Sequence, residues 1–279
     1  MKFTPRRIRE EVNVSREHPL KEFFVLVLGI SAAFVAAFVV LGLALDYVVP
    51  HIDPELEDHL GGVYLTFFDV DEERTAAEER LQVLLDSLAA RLDEPGREYR
   101  VHIVPSGEVN AIALPGGHIV VLSGLVKGAA SENELVMVLG HELGHYLERD
   151  HLQGMGRGLV LVFLSSLLFG TDNPLSNLTM ALLGGAEMQF SQSQERQADA
   201  RGLELLMGEY GHAGGATTFF QRMAEKEEGK ELLYLFSTHP FPRERIQAIE
   251  AEIRERGYPV RETAALDESF IKESGSPSP

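Results

Sequence analysis

Apolar and polar positions change rhythm several times along the chain. Residues 23–45, FFVLVLGISAAFVAAFVVLGLAL, carry no charge over 23 positions, enough for a helix to cross a hydrocarbon layer of about 30 Å. A cleaved signal peptide has a shorter apolar region ending in a small-x-small site, which LALDY does not supply, so the stretch reads as an uncleaved anchor. Pro50 and Pro54 then mark a linker, and residues 71–94 place Leu81, Leu84, Leu85, Leu88 and Leu92 on one helical stripe. Residues 98–104, 108–114 and 118–122 predict short strands, divided by Pro105-Ser106-Gly107 and Pro115-Gly116-Gly117, and together they suggest a small antiparallel sheet. Ser131 and Glu134 have capping-box spacing at the head of a helix that runs through Leu135, Val138, Leu139 and Leu143 towards Asp150.

The apolar run 159–169 has 11 residues, too few to span, and Gly170 and Asn173-Pro174 interrupt it; it reads as a buried or membrane-grazing helix. Further helices are expected over 194–208, 217–227 and 242–256, the last with Pro242 in its first turn. Residues 274–279 have the composition of a disordered tail. The predicted fold class is α+β, mainly helical, with one N-terminal transmembrane helix. Its expected parts are a cytoplasmic segment (1–22), the membrane helix (23–45), a linker (46–70), a catalytic domain (71–260) and a partly disordered C-terminal tail (261–279).

Charge adds a direction. Lys2, Arg6, Arg7, Arg9, Arg16 and Lys21 precede the span, whereas Asp46, Asp53, Glu55, Glu57 and Asp58 come after it, so the N-terminus is expected to be cytoplasmic and the rest extracytoplasmic, periplasmic in a Gram-negative cell. Residues 1–45 hold six of the 25 basic and four of the 43 acidic side chains, which leaves residues 46–279 with a net charge of −20. Such a domain repels phosphate backbones, which argues against nucleic acid as a partner. With no cysteine in the chain, disulfides, thiolate metal sites and cysteine nucleophiles are excluded, and any metal must rest on His, Asp and Glu.

The segment His141-Glu142-Leu143-Gly144-His145 supplies those residues. Two histidines four apart on a helix project from one face and can bind a single ion, zinc by default for this motif. Glu142 beside them is placed to take a proton from a water that attacks a carbonyl. Three polar groups amid apolar neighbours are costly without a partner. A catalytic zinc needs a third protein ligand, and Glu195 is the leading candidate, sharing a helical face with Asp199. Spacing alone leaves open a solvent ion pair between Glu195 and Arg196 or Arg201.

Four ordered blocks carry a resemblance: residues 110–125 (NAIALPGGHIVVLSGL), 141–145, 191–199, and Thr238-His239-Pro240 followed by Arg245-Ile246. Over residues 98–249 the chain resembles the HtpX-like and CAAX prenyl endopeptidase family of zinc metallopeptidases. The resemblance implies one Zn²⁺ held by His141, His145 and Glu195, with Glu142 as general base and Asp199 behind the ligands. It implies that Asn110, Ala111, Ile112, Ala113 and Leu114 form an edge strand that pairs with an extended substrate backbone. It also implies that His239 approaches the site, either to steady an oxyanion or to occupy the open zinc position, while Arg245 is expected to pair with an acid. His118 and His151 are read as structural or as standing behind the ligands, His151 from its place near a helix end.

Two features depart from the family. Gln192 stands where arginine is common, and the interval between the zinc motif and Glu195 offers only residues 159–169 and 178–183 as apolar runs, so a single anchor is expected where several relatives are polytopic. The expected function is a membrane-anchored zinc endopeptidase acting on misfolded or membrane-associated envelope proteins, with protein or peptide substrates and the lipid bilayer as partners. The alternative is a zinc-containing tethered adaptor or latent module without constitutive proteolysis.

Overall fold

A computed structural model describes residues 19–68, 70, 74–94, 96–171, 173, 174, 177, 190–225, 239, 242–267 and 270. The basic N-terminal segment up to residue 18, the apolar run 178–183, Thr238, Pro240 and the tail 274–279 lie outside the described residues. Helix α1 (Pro19–Val48) contains the charge-free run and has no buried residue. A 3-10 turn (Val49–His51) and helix α2 (Pro54–Leu65) come next, so the expected linker is partly helical. Asp53 caps α2 by accepting the Glu55 N–H at 2.8 Å, with Pro54 supplying the first-turn residue that lacks a donor. Helix α3 (Ala76–Ala89) buries Leu81, Leu85 and Leu88.

The three strands are β1 (Arg100–Val104), β2 (Ala111–Leu114) and β3 (His118–Leu122). Their order is β1-β3-β2, with β2 antiparallel and β1 parallel to β3. The expected all-antiparallel sheet is thus corrected to a mixed one. β3 takes the centre with every residue buried, β2 is buried throughout as well, and β1 begins with exposed Arg100 and suits an edge. Gly116 and Gly117, with φ of 74° and 76°, make the turn from β2 to β3 in a region that side chains rarely adopt.

One face of the sheet, with Val101, Ile103, Ala111, Ala113, Ile119 and Val121, joins the main core. The other, with Val104, Ile112, Leu114, Val120 and Leu122, is covered by Tyr64, Leu65, Phe68 and Val70. After α4 (Ser123–Gly128) comes α5 (Glu132–Leu147), buried from Asn133 to Tyr146 and therefore the central helix of the domain. Ser131 caps it as expected, accepting the Glu134 N–H at 3.4 Å. The expected 159–169 helix is the second half of α6 (Asp150–Phe169). Helices α7 (Gln192–Tyr210), α8 (Thr218–Glu225) and α9 (Pro242–Arg256) complete the domain. Among the described residues α1 and α6 are long and apolar enough to cross a membrane.

Two features set the site. Helices α5 and α7 touch backbone to backbone through small residues: a Cβ on Gly144 would stand 2.7 Å from Ala198 Cα, and one on Gly140 would stand 3.0 Å from Gly202 Cα. The four-residue spacing of this pair on each helix brings the turns that carry His141 and His145 against those that carry Asp199 and Glu195. Arg149, the only non-glycine among the described residues with positive φ (57°), breaks the chain between α5 and α6. Its guanidinium donates to the Val49 and Ile52 carbonyls at 3.0 and 3.1 Å, tying that break to the foot of α1.

Candidate metal centre

His141 and His145 share a face of α5, and their Nε2 atoms lie 3.1 Å apart. Helix α7 presents the carboxylate opposite. Ser191 opens α7 with a reciprocal capping box: its hydroxyl accepts the Gln194 N–H at 3.3 Å while Gln194 Oε1 accepts the Ser191 N–H at 2.9 Å. Glu195 therefore sits in the first turn, where the helix dipole favours its ionised form. Its Oε1 is 3.4 Å from His145 Nε2 and its Oε2 is 3.8 Å from His141 Nε2. His239 approaches from the far side, with Nδ1 3.0 Å from Glu195 Oε1 and 3.2 Å from His141 Nε2. One donor atom from each of His141, His145, Glu195 and His239 lies within 4.8 Å of the other three, and all four residues are buried.

Each α5 histidine has a carboxyl group behind it. His141 Nδ1 lies 2.9 Å from Asp199 Oδ1, and His145 Nδ1 lies 2.8 Å from Asp150 Oδ2. An acid at Nδ1 keeps the ring proton there and leaves the Nε2 lone pair facing the centre, the usual arrangement behind a ligating imidazole. The two Nε2 atoms are close to the edge of about 3.3 Å that a tetrahedron with bonds of about 2.0–2.1 Å would have. The donor set thus fits zinc. Asp150 is read from the sequence only as the end of the motif helix. It reaches His145 because Arg149 turns the chain, and Gln194 holds its other oxygen, donating at 2.6 Å.

Arg245, from α9, is fully enclosed. Its Nε and Nη2 donate to Asp199 at 2.8 and 2.6 Å, Nη1 contacts Glu195, and the guanidinium covers the Phe220 ring at 4.7 Å. The expected ion pair exists, and its acids belong to the centre. Phe190, which no sequence pattern singles out, stacks on the His145 ring at 3.9 Å and fixes its plane.

Burial, and then the Arg245 charge, hold His141 down to about 3 in spite of Asp199. Burial also works against charge on His145, but Asp150 and Glu195 outweigh it and push it up to about 9, so taking up a metal there must release a proton. Burial would raise Glu195, yet His239, His145 and Arg245 keep it well below the usual carboxylate range. Asp199 is held at about 2, burial being overcome by Arg245. Glu142 behaves oppositely, pushed up by burial.

Glu142 joins the centre to the sheet, its Oε2 accepting the Ala113 N–H at 2.9 Å and its Oε1 lying 3.7 Å from His239 Nε2. Strand β2 is an edge strand, as expected. Asn110 and Leu122 form a hydrogen-bonded pair, so the peptide groups of Ile112 and Leu114 also turn towards β3 and those of Ala111 and Ala113 turn away from it. All five residues from Asn110 to Leu114 are buried, and one outward donor, Ala113 N–H, is already taken by Glu142.

Behind α5, Tyr146 and Arg97 donate to Glu57, and His151 Nε2 lies 3.4 Å from the same carboxylate while its ring stacks on Tyr146 at 4.8 Å. The expectation that His151 meets a helix C-terminus is corrected, since it occupies the first turn of α6 and burial lowers its pKa. His118 is structural in the sense expected, its Nδ1 standing 3.0 Å from His102 Nε2 across neighbouring strands.

Residues 75–253 match peptidase family M48. The chain is 32% identical over 177 residues to Metalloprotease LoiP of Escherichia coli, covering 61% of this chain and 68% of that protein. It is 34% identical over 151 residues to the Mitochondrial metalloendopeptidase OMA1 of Arabidopsis thaliana, covering 54% of this chain and 30% of that one. To the Putative beta-barrel assembly-enhancing protease of Vibrio cholerae it is 27% identical over 195 residues, covering 64% and 40% of the two. The chain thus spans two thirds of the first relative and less than half of the other two. With the motif blocks, the clustered donors and the matched span in agreement, the chain belongs to peptidase family M48.

Proposed function

We propose that the protein is a zinc-dependent endopeptidase held at a membrane by α1. The observation that carries this reading is the convergence of His141, His145 and Glu195 beside Glu142. When bound, zinc supplies the Lewis acidity that polarises water and a peptide carbonyl. Glu142, fixed by Ala113 and raised by burial, accepts the proton of the attacking water at Oε1 and returns it to the leaving nitrogen as the C–N bond breaks. Asp199, Asp150 and Phe190 orient the imidazoles, and Arg245 fixes the two acids of α7. An extended substrate would align along β2, using the outward Ala111 N–H and the outward carbonyls of Ala111 and Ala113, the Ala113 N–H being held by Glu142.

The domain partition expected from the sequence, with the N-terminus cytoplasmic and the catalytic domain outside, belongs to this proposal. So do substrates among misfolded or membrane-associated envelope proteins, supported by the anchor-like α1 and by a relative named for enhancing β-barrel assembly. The test uses purified protein carrying one zinc and unfolded casein. Glu142→Gln should slow cleavage by at least about 10²-fold while zinc stays bound. Retained cleavage would sink the mechanism, and no cleavage by either form would favour the tethered adaptor.

A second reading is favoured by His239, which sits among the metal donors instead of beside an open position. Four protein donors complete a tetrahedral shell, so the structure suits a latent enzyme from which His239 must withdraw. His239→Ala then raises basal turnover. A fall in turnover would instead assign His239 to the oxyanion.

A further inference from the structure

Helix α6 changes character along its length. Asp150, His151, Leu152 and Met155 are buried in the domain, whereas Leu159, Phe163 and Leu167, four residues apart on one face, are 52%, 57% and 67% exposed. Leu168 and Phe169 continue the exposed apolar surface. Residues 158–169 contain no charge, and the Ser165 hydroxyl donates to the Val162 carbonyl at 3.0 Å, so this polar group needs no water.

The half-exposed part of α6 lies beside α1. Leu45 packs on Gly156, where a Cβ would come within 3.1 Å of its methyls, and Arg157 Nη2 donates to Asp46 at 2.8 Å. On α1 the partly shielded positions Phe34, Ala37, Phe38, Leu41 and Leu45 recur at three to four residues and end eleven residues from Leu45. Eleven residues beyond Gly156 on α6 is Leu167. The two helices therefore run antiparallel from the domain over about 16 Å, at 1.5 Å per residue.

We propose that the second half of α6 enters the bilayer beside α1, with Leu159, Phe163 and Leu167 facing lipid. This rests on the reading that α1 spans a membrane. The Asp46–Arg157 pair then sits at the edge of the hydrocarbon, and the twelve residues that follow Arg157, up to Phe169, reach about 18 Å into a layer of about 30 Å, so α6 enters without crossing. Lipid is the occupant because the stripe is continuous with the apolar surface of α1. Asp150, which holds His145, begins the same helix seven residues before Arg157, which sets the metal centre about 10 Å above the hydrocarbon. Peptide segments emerging close to the bilayer are the substrates best placed to reach it.

The chain has no cysteine, so the test uses full-length Val27→Cys, Phe163→Cys, Leu167→Cys and Val83→Cys, each shown to keep the wild-type thermal midpoint. An environment-sensitive fluorophore is attached, and the proteins are reconstituted in phosphatidylcholine–phosphatidylglycerol vesicles containing brominated acyl chains. At least twofold quenching is expected at positions 27, 163 and 167, with none at exposed Val83 on α3. Quenching at 27 alone overturns the inference and leaves the anchor standing. No quenching at 27 removes the anchor itself. Unquenched but blue-shifted probes at 163 and 167, with a disulfide-linked dimer of unlabelled Leu167→Cys under an added thiol oxidant, identify a second copy on the stripe and also overturn the inference.

Discussion

The contact between α5 and α7 makes Gly144 the most informative position to perturb. In Gly144→Ala the new methyl would stand 2.7 Å from Ala198 Cα, 3.1 Å from Ala198 O and 3.2 Å from Arg201 Cβ. Carbon atoms sit comfortably at about 3.5–4.0 Å, so the helices must part by roughly 1 Å. Glu195 and Asp199 lie three residues and one residue from Ala198, and most of that displacement reaches them. A site that tolerates about 0.5 Å loses its geometry. Overpacking costs about 1–3 kcal/mol, and the better helix propensity of alanine returns about 1 kcal/mol, leaving a net loss of about 0–2 kcal/mol. For a chain of this size the apo thermal midpoint should fall by no more than about 8 °C.

Zinc affinity should fall much further in proportion, by on the order of 10–100-fold, as when a supporting group behind a ligand is lost. Competition with a chelator reads the affinity, and a thermal melt of the apo protein reads the stability. Gly62→Ala is the control, because a Cβ there meets nothing within 4 Å; it should gain about 1 kcal/mol and bind zinc normally. Native zinc affinity in Gly144→Ala, whatever its midpoint, would refute the claim that this spacing sets the ligand positions.

Asp150→Asn should weaken zinc binding by about 10–100-fold with the helix content unchanged, because the amide no longer offers His145 Nδ1 a charged acceptor; calorimetric titration checks this, and unaltered affinity would leave Asp150 a mere structural neighbour. Glu57 governs acid stability: burial works to raise its pKa, but His151, Tyr146 and Arg97 bring it from 4.5 to about 2. A depressed carboxyl stabilises the fold above the unfolded pKa and loses that contribution as pH falls from about 5 towards 2, here on the order of 3 kcal/mol. Glu57→Gln should therefore lower the midpoint at pH 7 and flatten its decline in acid, and parallel curves for the two proteins would show that another group is responsible.

What could be read from the chain depends on the range of each interaction. His141 and His145 are legible because two donors four apart share a helical face whatever surrounds them. Residues 242–256 form the expected helix because Pro242 and the local pattern define its bounds without tertiary help. Glu195 is legible only through resemblance, since spacing gives it no preference over a solvent ion pair; what isolates it is the burial of α7 against α5, a long-range contact. The parallel pairing of β1 with β3 escapes local reading for the same reason, because alternation marks strands but which strand pairs with which, and in what direction, is settled by contacts distant in sequence.

Asp150 is hidden more deeply. Leu147-Glu148-Arg149-Asp150-His151 contains neither glycine nor proline to mark a break, yet one helix ends and the next begins there through a left-handed arginine. A non-glycine residue in that region costs on the order of 1 kcal/mol or more and persists only where its surroundings hold it. Here the holders are the Val49 and Ile52 carbonyls at the foot of α1. The contact that places a carboxyl behind His145 is thus maintained by the segment that joins the apolar helix to the domain, and that helix and the metal centre share a joint that no motif in the sequence records.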